Sequence, residues 1–318
     1  LTVIVTKSLS TDFPNGYNFD NLKKAVDAST VITATLFHGP VFGDVINFVW
    51  DRALTGPEDS EFTSIISDHN PTPPADLSSP VRDYFADISL GKISGEASYP
   101  MFGYNPDIDS GADETIWSAS GIFSLPTGAE TLDLVSTNAA DTAAGTGARK
   151  VKITGLDANY KIIQETVTMN GLTPVTSTSS FLRMYYATVE EVGTGGINAG
   201  DITITQTTSS KVMGLIPLND GCAFQSMFTV PQGKKGLIHN IMYAVNKSKD
   251  ATLIIKRKLF GKPLLTIGRI PGFEGISIKP FKPPLVFTEK TDVIFEADGV
   301  TTSNNIVALS YSMQLVDN

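Results

Sequence analysis

A single cysteine, Cys222, rules out an internal disulfide, and no Cys-x-x-Cys or Cys/His cluster is present that could hold zinc. Histidine is nearly as scarce. His38, His69 and His239 lie far apart in the sequence, and each reads as a structural residue rather than a catalytic one. No apolar run approaches the roughly 20 residues of a membrane-spanning helix, and the opening LTVIVTKSLSTDF lacks the basic-then-apolar layout of a signal peptide. Nothing matches GxSxG, HExxH, a P-loop or a dinucleotide fingerprint. These absences argue against an enzyme and against a bound cofactor or metal. What remains is 41% hydrophobic and 18% charged residues, the composition of a folded globular chain slightly poor in charge.

The charge present is unevenly placed. Residues 211–318 hold 13 Lys/Arg and 8 Asp/Glu, a net +5; the overall charge of -9 therefore leaves -14 for residues 1–210. Oppositely charged halves favour head-to-tail packing or a basic end turned toward an acidic partner. The basic excess is too thin, and too poor in interleaved aromatics, to indicate nucleic acid.

Strand patterning dominates the chain. Residues 1–70 read as a small βαββα module. TVIVT and the runs VITATLFHG and DVINFVWDRAL are its strands, the latter two joined through Gly39-Pro40 and Gly43-Asp44. LKKAVDAS is a short amphipathic helix with Leu22, Ala25 and Val26 at helical spacing and Asp20 as its expected cap. EDSEFTSIISDH is a second helix with Phe62, Ile65 and Ile66 on one side, Pro57 in its first turn and acids facing the helix dipole. Residues 71–97 form a connector that opens Pro-rich. Residues 98–214 carry about seven short strand candidates parted by Gly, Asn, Asp and Thr clusters, the rhythm of a β-sandwich. Residues 215–318 repeat it in CAFQSMFTV, GLIHNIMYAVN, ATLIIKRKLF, PLLTIGRI, GISIKPF, DVIFEAD and NIVALSYSMQLV, fitting a jelly-roll-like sandwich whose prolines 271, 280, 283 and 284 belong on edges and turns. The expected fold is mainly β: an N-terminal α+β module followed by two β-sandwich domains.

Three constellations invite a chemical reading. Asp107, Asp109, Asp113 and Glu114 space hard oxygen ligands around Gly111 as a calcium loop would, without the bidentate Glu of an EF-hand; an Asx-rich turn is the simpler reading. Glu190 and Glu191 are adjacent on a strand, so they should project to opposite faces and be unable to share acid/base work. Trp50, Trp117, Tyr185 and Tyr186 could stack against a sugar, although core packing is the commoner use of such residues. The run GTGGINAGDI, residues 193–202, has no lysine at P-loop spacing and reads as a strand-to-strand loop.

The segments YNPDIDSGADETIW, AADTAAGTGAR, GLDANY, ETVTMNG and SFLRMYYATVEEVGTGGINAGDI resemble a segment found in virion structural proteins of tailed bacteriophages, covering about a third of the chain. FTVPQGKKGLIHNIMYAVNKSKDATLIIKRK resembles the sandwich domain beside it in such proteins. The N-terminal KSLSTDFPNG and ITATLFHGPVFGDVINFVWDRALTGPEDSEFTSIISDH are similar to a small module of phage and large-virus structural proteins. The one departure, Trp117 followed by Ser118, Ala119, Ser120 and Gly121, affects only a turn. The resemblance brings no catalytic motif, so no site residue is carried over. It implies a virion component of decoration, head-fibre or collar type that self-associates, a homotrimer being favoured, and that docks on capsid or tail proteins. No membrane partner is implied. The alternative is a fibre-tip adhesin for a host-surface glycan or receptor.

Overall fold

The computed structural model describes residues 3–8, 19–30, 32–42, 45–67, 84–299 and 304–318. It divides into two units, Leu1–Tyr84 and Phe85–Asn318. The Pro-rich stretch 70–80, the Gly43-Asp44 turn and His69 lie outside the described residues, as does the side chain of His38.

The first unit has the expected βαββα order: β1 (Val3–Ser8), α1 (Phe19–Ala28), β2 (Leu36–Phe42), β3 (Val45–Trp50) and α2 (Gly56–Ser67). The strands form an antiparallel sheet in the order β1-β3-β2. Leu22 and Val26, one helical turn apart, pack with Phe62, Ile66, Phe48 and Trp50 into a core from which Ala25 is excluded. Asp20 stands inside the first turn of α1, so it faces the helix dipole instead of capping the helix. The start of α2 is built around Glu58, whose carboxylate accepts the Thr55 amide (2.9 Å) and the Thr55 hydroxyl (2.8 Å), the glutamate half of a Thr-x-x-Glu capping box.

The second unit begins one residue into α3 (Tyr84–Ser89) and then consists of strands. Seven of them build the middle sandwich: β6 (Leu132–Ser136), β7 (Ala148–Leu156), β8 (Ile162–Thr168), β9 (Val175–Thr176), β10 (Arg183–Val192), β11 (Ile202–Gln206) and β12 (Val212–Ile216). They form two sheets, β10-β7-β8 and β12-β11-β6-β9. Leu132 and Leu134, Val151 and Ile153, and Ile202 and Ile204 alternate into one core, as period-2 patterning requires.

The C-terminal sheet has seven strands, because it recruits β4 (Ala97–Ile108) and β5 (Glu114–Thr115) alongside β13 (Phe228–Thr229), β14 (Lys234–Lys258), β15 (Leu264–Phe287), β16 (Asp292–Gly299) and β17 (Asn305–Asp317). GLIHNIMYAVN and ATLIIKRK, read as two strands, are one strand of 25 residues, and PLLTIGRI and GISIKPF likewise fuse into β15. The first half of β14 pairs with β17 and the second half with β16, with a register shift between Val245 and Asp250. Core-facing residues of both halves, Ile241, Tyr243 and Val245 with Ala251, Leu253 and Ile255, belong to one core cluster.

A boundary at residue 98 or at 214/215 does not match this pairing. β4 bonds along β17 and β5 along β16, and Leu156 and Tyr185 of the middle sandwich pack into the C-terminal core. Arg183 of β10 also donates a two-pronged pair to Asp292 of β16, at 2.8 and 3.1 Å, with both side chains buried. Residues 85–318 are accordingly one compact unit. The segment expected as a Pro-rich connector through residue 97 contains α3 and the first residue of β4.

Candidate interaction surface

The acidic loop does not gather its carboxylates. Asp109 and Gly121 donate their amides to Glu114 (3.0 and 3.2 Å), Asn304 donates its amide to Asp109 (3.3 Å), and Asp113 pairs with Lys256 (3.2 Å). Buried Asn105 closes the turn, accepting the Asp107 amide and donating to the Thr115 carbonyl, both at 2.9 Å. The loop is an Asx-type turn that ties β4 to β5 and β16. Among the described residues no group of three or more His, Cys, Asp or Glu side chains is placed to hold a metal.

Glu190 and Glu191 overturn the expectation of opposite faces. Register shifts flank Glu191, and both carboxylates reach the lysines of β7: Glu191 pairs with Lys150 at 2.6 Å and Glu190 with Lys152 at 4.0 Å, while Thr166 donates to Glu190 at 2.7 Å. The Lys150 hydrogen bond holds the Glu191 carboxyl below the usual carboxylate range, and Glu191 in turn raises Lys150. The result is an exposed charge ladder with each acid matched to a base.

The aromatic platform is not on the surface. Trp50 is enclosed against Phe62, edge to face at 5.0 Å. Trp117 packs edge-on against Phe123 (5.2 Å) and donates to the Ser120 carbonyl at 2.8 Å. Tyr185 stacks on Phe228 with ring centroids 4.2 Å apart and donates its hydroxyl to the Thr229 carbonyl at 2.5 Å; burial pushes its phenol well above the ordinary range. Tyr186 is partly buried against the same core. Burial also raises the Cys222 thiol.

The glycine-rich run 193–202 is closed by a residue that sequence reasoning missed. Asp141, fully buried, accepts the amides of Ala148 (2.6 Å), Ala199 (2.8 Å) and Gly200 (3.0 Å) and the Ser136 hydroxyl (2.6 Å). Amides that could cradle a phosphate are thereby spent on an internal carboxylate. A Cβ at Gly147 would sit 2.1 Å from the Asp141 carboxylate, which explains the glycine.

The chemistry of this molecule lies instead on one sheet face. His239, projecting opposite core-facing Ile238, meets the Gln314 amide oxygen at 2.8 Å and the Phe85 ring at 5.1 Å. Beyond it the outer face of β15-β14-β17-β4 presents registered rows: Ile278, Met242, Ser310 and Phe102 stand across one row, and Ile276, Ala244, Ala308 and Tyr104 across the next. The large side chains stand at the sides and the small ones form the floor. Phe102 (57%), Met242 (42%), Ile276 (71%) and Ile278 (66%) are exposed. Two contiguous troughs result, of about 840 Å³ toward Phe85 and His239 and about 500 Å³ toward Phe224. A connected apolar patch of this kind on a folded surface is a candidate site for contact with a protein, a ligand or a membrane. The signal was present in LIHNIMYAV, where apolar residues occupy both alternations of one strand; only one alternation can face the core.

No family model matches the chain, and no curated protein sequence matches it. Among solved structures it is similar to two of infectious bursal disease virus. The Gx strain structure is 8% identical over 70% of this chain and 73% of that chain, at a TM-score of 0.20. The Gt strain structure is 9% identical over 74% and 78%, at 0.19. Likeness at that level carries no argument, and the functional reading rests on the residues.

Proposed function

We propose that this chain is a structural component of a virus particle that self-associates and docks on other virion proteins. The observation that carries its interaction half is the exposed apolar outer face around Phe102, Met242, Ile276 and Ile278. Its virion half is supported by the resemblance of residues 103–204 and the flanking modules to phage virion proteins. Asp109, Asp113, Glu114, Glu190 and Glu191 are engaged in amide bonds or ion pairs and His239 bonds Gln314, which fits a building block better than an enzyme. The adhesin reading loses its stacking platform, since Trp50, Trp117 and Tyr185 are in the interior.

Met242 is exposed, so Met242→Glu should fold as the parent does and yet place a charge in the centre of the face. The expected result is a melting temperature close to the parent's with incorporation into particles reduced about tenfold or more, a central interface residue being worth about 1–2 kcal/mol. Quantitative mass spectrometry of purified particles reads this. Unchanged incorporation would reject the face as a docking surface.

A further inference from the structure

We propose that the side chains of Lys256 and Asp113 condense into an amide bond, with Glu296 as the catalytic residue, so that the chain cross-links itself. This goes beyond the assembly role above and does not depend on it.

The topology gathers the three groups. β16 runs between β14 and β5, and its Glu296 stands opposite Ile254 on one side and Thr115 on the other. Lys256 lies two residues after Ile254 and Asp113 two residues before Thr115, so period-2 alternation sets all three side chains on one face. Lys256 Nζ bonds the Glu296 carboxylate and lies 3.2 Å from Asp113 Oδ2. The Glu296 side chain is 3% exposed and that of Lys256 18%. Lys256 is also opposite Ile294, which packs with Trp117 and Phe123, so one wall beside the amine is apolar. Amine and carboxyl thus touch at a largely buried site, with a second, fully enclosed carboxylate bonded to the same nitrogen.

Burial works against the Lys256 ammonium, but its bonds to Glu296 and Asp113 outweigh that and raise it, so the group starts charged. The step therefore begins with proton transfer. The ammonium gives one proton to the Asp113 carboxylate, and the nitrogen lone pair then attacks Asp113 Cγ. Glu296 takes a second proton from nitrogen as the N–C bond forms and returns it to the departing hydroxyl. The C–O bond breaks with its electron pair on that oxygen, and water leaves. No oxidant, reductant or activating group is needed, because an ammonium and a carboxylate carry the atoms of an amide and a water. Arg269, 3.6 Å from Asp113 Oδ2, faces the oxyanion of the tetrahedral intermediate. Well-oriented intramolecular pairs reach effective molarities of about 10⁵–10⁸ M, which offsets the cost of forming an amide in water. Condensation also removes a partly buried cation and an anion together and leaves the net charge of the group unchanged. The bond closes residues 113–256, which include the whole middle sandwich, into a ring.

The test is intact-mass and peptide mass spectrometry of the purified full chain after prolonged incubation at neutral pH. The parent is expected to be lighter than its sequence mass by one water, with a branched peptide joining the fragments that contain Asp113 and Lys256. A succinimide at Asp220-Gly221 or Asp298-Gly299 would lose the same water but leave linear peptides. Lys256→Arg and Asp113→Ala should each keep the full sequence mass. Glu296→Gln retains both reacting groups and should form the bond about a hundredfold more slowly or worse, the usual worth of a general acid-base group. A parent at full mass, or one whose lost water sits in linear peptides, would overturn the proposal, as would water loss that persists in Lys256→Arg. A Glu296→Gln chain that is folded by circular dichroism and cross-links at the parent's rate would overturn the role of Glu296. Should that variant misfold, the mass and branched peptide of the parent still decide whether the bond forms.

Discussion

Glu58 is the carboxylate whose protonation reports most directly on the N-terminal unit. Arg52 grips it with both terminal nitrogens (2.8 and 2.6 Å), and the amides of Thr55 and Thr33 point at it, each at 2.9 Å. The Arg52 hydrogen bonds first, and those amides next, hold its carboxyl far below the usual range, close to 4 for an unfolded glutamate. With the folded value depressed, its contribution is complete above the unfolded value and is lost as pH falls from there toward the folded one. The protection factors of the amides of residues 56–67, exchange rates corrected for the intrinsic pH dependence, should therefore fall on acidification below about pH 4 in the parent. Glu58→Gln should exchange faster at neutral pH and show less of that acid dependence. Equal acid dependence in both proteins would show that Glu58 is not the responsible group. At this scale the sequence is readable where a residue acts through local spacing. Thr55-Gly-Pro-Glu58 is a capping box on its face, and the Asn105 turn is a local Asx pattern. Asp141 was hidden because its partners, Ala199 and Gly200, are brought to it only by the fold.

At the scale of elements, alternation located the strand runs of residues 215–318 and the number of strands in the middle sandwich, since half-buried strands must alternate. It did not show where two runs join or which sheet a strand enters. β14 and β15 continue through Lys247–Asp250 and Gly272–Gly275 because bulges absorb the polar interruptions, and β4 leaves its sequence neighbours to pair with β17. The opposite-face reading of Glu190 and Glu191 failed for the same reason: a bulge resets parity. The Arg183–Asp292 pair joins β10 to β16 in the interior, supplemented by Thr229, which donates to Asp292 at 2.6 Å, and by the Pro126 and Leu182 carbonyls, which accept from Arg183 at 2.8 and 2.9 Å. Removing one partner leaves a buried charge unpaired, so Arg183→Met or Asp292→Leu should each destabilise by about 3–5 kcal/mol. The double variant should cost clearly less than the two together, as read by denaturant unfolding in a double-mutant cycle. Additive costs would mean the two groups are stabilised independently.

For the whole molecule, the charge division between residues 1–210 and 211–318 and the apolar outer face are the properties on which the proposed role in an assembly rests. The charge division is open to counting along the sequence. The face becomes visible only when β4, β17, β14 and β15 lie in register, since Phe102, Met242 and Ile278 come from three separate stretches of chain. The central claim is that these surfaces are used inside a virus particle. A single-particle reconstruction of the intact virion tests it most directly. The account predicts this chain in symmetric copies, with the face around Phe102, Met242 and Ile278 covered by a neighbouring protein. A chain missing from the particle, or present with that face open to solvent, would contradict it.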